Sequence, residues 1–330
     1  MTLLTGHCYQ QVARVPQQLR SIGMLRVDVS IFSGRPDPSW IITDESAVRS
    51  LLSDAADAAE AAVGIPGAGY DGLGYREVVV SAVGDDEPWP ESVPRSFALG
   101  TLGARDVGRS AELARRVVEG MTRHADTRLA EHERTPLGDD LRELVLGEID
   151  AFAAEPPAWT RSPALPAHPL RTTAQEAGPS VTCYIEYGQF NPGFWNTPQV
   201  QPKNNCYNYA RNLRTDTFAQ PGRAHGAQTG TMACPNVTQA ALADGFVRRF
   251  QCLPDSEKPR WLTALVVWPG QDYHWYRLQS GNFWGHKPGQ TAARDYDNSG
   301  NRITNPETCN RGGYRDFCGY FYAGRSVVIR

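Results

Sequence analysis

The alternation of apolar and polar residues predicts a mixed α/β domain in the first half of the chain. Residues 25–32 alternate between apolar and polar positions up to the final Ile31-Phe32 pair, which is typical of a half-buried strand. Residues 43–63 repeat apolar positions at helical spacing behind an acidic start, which predicts a helix. Further strands are predicted at 40–42, 75–83 and 96–99, and further helices at 107–122, 125–133 and 138–154. We expect an α/β domain over residues 25–154, preceded by a tail, residues 1–24, without a clear period.

A proline-rich stretch separates this half from the next. Residues 155–180 contain repeated prolines and show neither helical nor strand periodicity. Such a composition is typical of an extended connection between domains. We therefore predict an interdomain linker there and a second domain over residues 181–330.

The second half has the pattern of an antiparallel sheet with a few short helices. Residues 261–268 form a continuous apolar run, and residues 272–279 alternate after a Pro-Gly turn, which predicts two adjacent strands. Other strands are predicted at 181–187, 282–286, 291–295, 319–323 and 327–329, and helices just after residue 205 and at 237–244. The fold class predicted for the chain is α+β, with a helix packed on an antiparallel sheet.

Composition narrows the classes of function. The 330 residues are 41% apolar and 21% charged, with a net charge of −3, which argues against a nucleic-acid-binding surface. No apolar run is long enough to span a membrane, and residues 1–26 lack the apolar core of a Sec signal peptide. We expect a cytoplasmic protein, with export by another route left open.

The cysteines are concentrated in the second half. Only Cys8 precedes residue 180, and no two of the seven cysteines are spaced as in a structural zinc site. The spacing allows short disulfide loops between Cys234 and Cys252 and between Cys309 and Cys318. Reduced, buried cysteines are an equal alternative.

One cysteine lies where nucleophilic chemistry is possible. Asn204 or Asn205 can cap a helix that begins at Cys206, and the start of a helix favours the thiolate. A thiolate needs an imidazole and a group that orients it. His274 shares a strand face with Asp272 and Tyr276, and we expect that face to look towards the Cys206 helix. His286 follows twelve residues later and can reach the far nitrogen of His274 across a hairpin.

This order of Cys206, His274 and His286 resembles the papain-like superfamily, in particular the NlpC-type and CHAP-type peptidases and amidases. The resemblance covers about residues 185–300, although Asn205, Cys206, Tyr207 and Asn208 replace the Asp-Cys-Ser-Gly of NlpC-type proteins. It implies a cysteine hydrolase that cleaves an amide bond in a peptide or a peptidoglycan stem and needs no cofactor and no metal. Oxyanion donors would come from Gln189, Asn204 or Tyr187, and Trp275 and Trp284 would line the substrate groove. The partner of the N-terminal domain is not predicted.

Two other classes of function fit the residues. The aromatic-rich sheet fits a non-catalytic module that binds a glycan or a protein, with structural cysteines. His274, His286 and an aspartate could instead hold a metal, although their spacing matches no known ligand pattern. Residues 295–301 resemble half of a calcium loop, and we interpret them as a β-turn.

Overall fold

The computed structural model describes residues 23–84, 89–121, 135–157 and 173–330. The fold is α+β, as predicted. It contains a small sheet formed by the first half of the chain and a larger sheet formed by the second half. The helix predicted at 125–133 and most of the predicted linker lie outside the described residues.

The first half forms a four-stranded antiparallel sheet with the strand order β2-β1-β3-β4. Its elements are β1 (Leu25–Ser30), β2 (Ser39–Ile42), α1 (Glu45–Asp57), β3 (Glu77–Ala82), β4 (Ser96–Leu99), α2 (Val107–Glu119) and α3 (Asp139–Ala154). Every second residue of β1 is buried, so its apolar side chains face the core that the helices cover. The Asp44 side chain caps α1 by accepting the backbone N–H of Ala47 at 2.7 Å.

The second half is built on a larger sheet with the strand order β10-β9-β8-β11-β7. Its strands are β5 (Thr173–Ala177), β6 (Thr182–Glu186), β7 (Val247–Arg248), β8 (Trp261–Trp268), β9 (Asp272–Gln279), β10 (Phe283–His286) and β11 (Asp316–Ala323), and its helices are α4 (Pro192–Trp195), α5 (Cys206–Arg211) and α6 (Cys234–Ala243). The central strands β8 and β9 are buried almost throughout. Helix α5 packs on β9, which brings the candidate cysteine and histidines into one region.

Several predicted boundaries are wrong, and two predicted strands are absent. The helix predicted to reach residue 63 ends at Asp57, and the structure assigns no strand to residues 291–295 or 327–329. Residues 173–177 of the predicted linker form β5, which pairs with β6. Pairing with a partner strand satisfies the backbone groups of this polar segment, and its own sequence carries no signal of that partner.

The two halves are in direct contact. Apolar residues of both sheets belong to one continuous core, which contains Val27 and Val80 of the first half and Val266 and Tyr276 of the second. Residues 32–37, which connect β1 and β2, lie against β9. This segment, called the 32–37 segment below, brings the first half next to the candidate cysteine, because its Gly34 carbonyl accepts from Asn205, the residue before Cys206.

The cysteine pairing differs from the predicted one. Cys183 is bonded to Cys252, and Cys234 is bonded to Cys318, while Cys206 and Cys309 are free. The sheet places the partners together across 69 and 84 residues of sequence, so short sequence spacing was a misleading guide. Among the described residues, no helix has the length and apolarity needed to cross a bilayer.

Candidate functional site

Cys206 is the first residue of α5 and is completely buried. Asn205 caps the helix in a reciprocal arrangement, in which its side chain accepts backbone N–H groups and its own N–H donates to the Asn208 side chain. The Trp275 backbone N–H and the Ser33 hydroxyl are near enough to the sulfur to lower the pKa of the thiol. Removal from water is the largest influence and raises the pKa of the thiol, so Cys206 is a neutral thiol in this conformation.

His274 lies at the centre of a continuous series of hydrogen bonds. Its Nδ1 contacts the Ser33 hydroxyl, and its Nε2 is 2.8 Å from Nδ1 of His286. Nε2 of His286 is 3.0 Å from the carbonyl oxygen of Tyr296. The contact between His274 and His286 that the hairpin predicted is therefore present.

The carbonyl of Tyr296 fixes the direction of these bonds. A carbonyl oxygen only accepts, so Nε2 of His286 carries the proton and its Nδ1 accepts from Nε2–H of His274. Nδ1 of His274 then accepts from the Ser33 hydroxyl. The longer approach of Arg294 Nε to His286 Nε2, at 3.3 Å, would require the opposite tautomer and leave the Tyr296 carbonyl without this donor.

Both histidines are held neutral. Burial is the main cause that lowers the pKa of His274 and of His286, and the nearby Arg294 guanidinium lowers both further. A neutral His274 whose Nδ1 carries no proton has the form of a general base. The hydroxyl of Ser33, rather than the thiol of Cys206, occupies that lone pair here.

The Cys206 thiol and the His274 imidazole lie on opposite sides of β9, whereas we expected the His274 face to look towards the Cys206 helix. Tyr273 and Trp275 face α5 and pack with Cys206 in one core cluster. Asp272, His274 and Tyr276 point to the other face, where the His274 ring lies beside those of Tyr276 and Tyr314. The predicted polar face therefore does not look towards α5, and Ser33 bridges the edge of the sheet between thiol and imidazole.

The 32–37 segment is held by side chains of the second half. The Asp272 carboxylate accepts the backbone N–H groups of Ser33, Gly34 and Arg35 at 2.6, 3.0 and 2.9 Å, and the Tyr314 hydroxyl at 2.6 Å. Burial outweighs these bonds and raises the pKa of Asp272. The sequence offered no sign of this contact, because Ser33 and Asp272 are 239 residues apart.

The carbonyl of Gly34 is bound by three side-chain donors. Asn205 Nδ2 and Gln220 Nε2 each lie 2.8 Å from it, and the Tyr273 hydroxyl lies at 3.1 Å. All three donors are buried, and Asn205 directly precedes Cys206. Donors converging on one carbonyl beside a thiol have the chemistry of an oxyanion-binding site.

Lys287 is a further buried charge near the thiol. Its ammonium donates to the carbonyl oxygens of Gln201, Asn204 and Gly289. Burial lowers its pKa to about 7, while the Cys206 sulfur acts in the opposite direction. Sequence reasoning missed Lys287 because it directly follows His286 at a predicted turn.

Three of the predicted oxyanion and groove residues do not reach the cluster. The amide of Asn204 donates to Val200 O and the Asp216 carboxylate, so it is not free to face the sulfur. Gln189 is exposed, and Trp284 is buried against Tyr320. Trp275 contributes its backbone N–H, while its ring packs with Tyr207 and Phe246 in the core and lines no open groove.

The histidine pair is not arranged to hold a cation. Ser33, the opposite histidine and the Tyr296 carbonyl use both nitrogens of each ring. Among the residues that the structure describes, no group of three or more His, Cys, Asp or Glu side chains converges as metal ligands do. In residues 295–301, interpreted above as a β-turn, Asp297 accepts backbone N–H groups of Ser299 and Asn301.

A polar cleft of about 870 Å³ lies beside the 32–37 segment. Pro36 and Asp37 of this segment line it, together with Arg76 and Glu77 of the first half and Lys203 of the second. Burial raises the pKa of Asp37 to about 6 against the influence of Arg76. The cleft is thus an opening between the two halves that ends at the segment covering Cys206.

A comparison with known proteins identifies a relative of this chain. Over 136 residues, the chain is 47% identical to insoluble matrix shell protein 1 of Ruditapes philippinarum. The match covers 90% of that protein and 41% of this chain. The chain belongs to the family of this shell matrix protein. No family model and no solved structure matches the chain.

Proposed function

We propose that this member of the family is a thiol-dependent amide hydrolase that its own 32–37 segment holds closed. The observation that carries the proposal is the hydrogen-bonded series from Ser33 through His274 and His286 to the Tyr296 carbonyl, next to the buried thiol of Cys206. It supplies a nucleophile, a neutral base and a group that orients the base, in the chain order of the papain-like superfamily.

The reaction requires Ser33 to leave the space between thiol and imidazole. His274 Nδ1 then takes the thiol proton, and the sulfur of Cys206 attacks the carbonyl carbon of the substrate amide. As the C–N bond breaks, His274 returns the proton to the departing amine. Water, again deprotonated by His274, hydrolyses the thioester and regenerates the thiol. His286 accepts from Nε2–H of His274 throughout and stabilises the imidazolium.

The oxyanion would be bound by the donors that now hold the Gly34 carbonyl. Asn205, Gln220 and Tyr273 replace Gln189 and Asn204 in this role. Substrates remain peptides or peptidoglycan stems, as the resemblance implies. Opening would occur by local displacement of the 32–37 segment, next to the cleft beside Asp37.

The proposal includes export from the cytoplasm. Two disulfides link distant parts of the second half, and disulfides persist mainly in oxidising compartments. This replaces the cytoplasmic location expected from the N-terminal residues. The relative's name places that protein in a shell matrix, which agrees with an extracellular site.

The test combines thiol reactivity with turnover. Iodoacetamide labelling followed by mass spectrometry compares Cys206 with the half-buried Cys309 in wild type and in His274→Gln, while amide hydrolysis is measured in wild type and Cys206→Ser. The proposal expects slow labelling of Cys206 and a low turnover, from the fraction of molecules in which the segment has moved away, that Cys206→Ser abolishes without loss of the folded state. Equal turnover in wild type and Cys206→Ser would overturn it.

The relative and the disulfides favour a second candidate, a non-catalytic extracellular protein. In this case the cysteines are structural, the buried histidines join the two halves, and the surface binds a glycan, a protein or further copies of the chain. This alternative expects Cys206→Ser to retain function and reduction of the disulfides to remove it. Pelleting of the oxidised and reduced protein with an insoluble glycan or matrix distinguishes the two.

A further inference from the structure

The 32–37 segment is bound to the second half largely through its main-chain groups, and its residues 33–35 form a bend. Its backbone N–H groups donate to one carboxylate, Asp272, and its Gly34 carbonyl accepts from Asn205, Gln220 and Tyr273. Side chains of the second half thus satisfy consecutive main-chain groups of the segment. Recognition of main-chain groups is the usual way in which a cleft binds a peptide irrespective of much of its sequence.

One position of the segment is selective for glycine. A Cβ atom at residue 34 would overlap the ring of Tyr273 and lie 2.6 Å from the backbone oxygen of Tyr273. The Tyr273 ring is itself fixed, because its hydroxyl is bonded to Gln220 and to the Gly34 carbonyl. A side chain at this position therefore has no space unless the segment moves away.

The neighbouring positions add polar recognition. The Ser33 hydroxyl contacts His274 Nδ1, and Arg35 Nη1 donates to the Gln271 carbonyl at 2.6 Å. The carboxylate of Asp37 accepts the N–H groups of Ile31 and Phe32 and so keeps the segment in its bound shape. Tethering gives the segment a high effective concentration, which a separate peptide must overcome.

We infer that the site which the 32–37 segment fills next to Cys206 binds peptides of the type Ser-Gly-Arg, and that the segment is its intramolecular ligand. The inference rests on the proposed function in one respect, since it names the substrate class of the same site. Glycine-containing peptides with a following basic residue are then substrates, and the chain is inactive while its own segment is bound.

Full-length Gly34→Ala tests the inference through the labelling of Cys206. The added methyl group overlaps Tyr273, so we expect the segment to dissociate more often and Cys206 to react about tenfold faster than in wild type. Gly147→Ala is the matched control, because a Cβ at this helical position meets no atom within 4 Å. Circular dichroism establishes whether each variant is folded.

The second arm adds blocked hexapeptides to Gly34→Ala. Phe-Ser-Gly-Arg-Pro-Asp should slow the labelling of Cys206 towards the wild-type rate, and Phe-Ser-Ala-Arg-Pro-Asp should not. Equal protection by both peptides, protection by neither, or unchanged labelling in Gly34→Ala overturns the inference. If Gly34→Ala is unfolded, Arg35→Ala serves instead, because it removes the bond to Gln271 without steric overlap.

These experiments distinguish a failure of the proposed hydrolysis from a failure of the peptide site. Selective protection by the glycine peptide without its cleavage would reject hydrolysis and keep the peptide site. Turnover of amides without any preference for the glycine peptide, together with no protection, would reject the peptide site and keep hydrolysis.

Discussion

At the residue scale, Ser33 has an unusual position, since its hydroxyl lies between a buried thiol and a buried imidazole. Ser33→Ala removes the donor to His274 Nδ1 and leaves that lone pair buried without this partner. We expect a loss of about 1–3 kcal/mol in the free energy of unfolding, measured by urea denaturation. Ser81→Ala is the control, because its hydroxyl is bonded to Ser96 at a half-buried position and should cost less than about 1 kcal/mol. Equal losses in both variants would contradict the bridging role.

The buried histidines predict how stability depends on pH. Burial lowers their pKa in the folded state, whereas in the unfolded chain a histidine pKa is about 6.5. Below that pH the unfolded chain binds protons that the folded chain does not, so the free energy of unfolding falls as pH falls. The slope approaches about 1.4 kcal/mol per pH unit for each histidine.

Urea unfolding between pH 7.5 and 5.5 measures this slope in wild type and in His286→Asn. Asparagine retains an oxygen that can accept from His274. We expect the number of protons taken up on unfolding, which sets the slope, to decrease by about one. Asp37, whose pKa is raised to about 6, takes up a proton in the folded state and opposes the effect at the acid end in both proteins. Identical slopes would show that His286 does not titrate with unfolding.

At the scale of elements, the start of α5 depends on one side chain with several tasks. Asn205 caps the helix and also donates to the carbonyls of Gly34 and Ala219. Asn205→Ala loses the cap and leaves buried carbonyls with fewer donors, so we expect a loss of about 3 kcal/mol. Asn191→Ala is the comparison, because Asn191 caps α4 at an exposed site and its loss should cost about 1 kcal/mol or less. Thermal or urea unfolding of both variants checks the difference.

At the scale of the whole molecule, the disulfides constrain the second half over long stretches of chain. The Cys234–Cys318 bond joins the start of α6 to β11, 84 residues later. Replacing both cysteines by serine should lower the free energy of unfolding by about 2–5 kcal/mol. Cys309→Ser, which changes a free, half-buried thiol, should cost less than about 1 kcal/mol. A double variant as stable as wild type would mean that the bond is not formed in the native protein.

Polar contacts of the 32–37 segment, which lies beside the cleft, also join the two halves. Asp272 holds three successive N–H groups of the 32–37 segment, so the segment links the halves as well as covering Cys206. An opening motion must break these bonds and those to the Gly34 carbonyl together. Hydrogen exchange at residues 33–35 that is faster than in β8 and β9 would reveal such local opening.

The sequence by itself determined the elements whose signals are local. The continuous apolar run at 261–268 and the alternation at 272–279 predicted β8 and β9 with their observed bounds. An asparagine cap at residue 204 or 205 and the hairpin contact between His274 and His286 were also predictable, because capping and hairpin register act over a few residues. The α+β class followed from these elements.

The tertiary structure alone decided the content of the candidate site and the cysteine pairing. Ser33, Gln220 and Tyr314 reach the site through contacts between distant segments, and Cys183 and Cys234 find their partners across the sheet. It also placed Cys206 and His274 on opposite sides of β9. Such contacts depend on how whole elements pack together. The hydrophobic periodicity of a segment predicts its own secondary structure but does not identify the segments that it packs against.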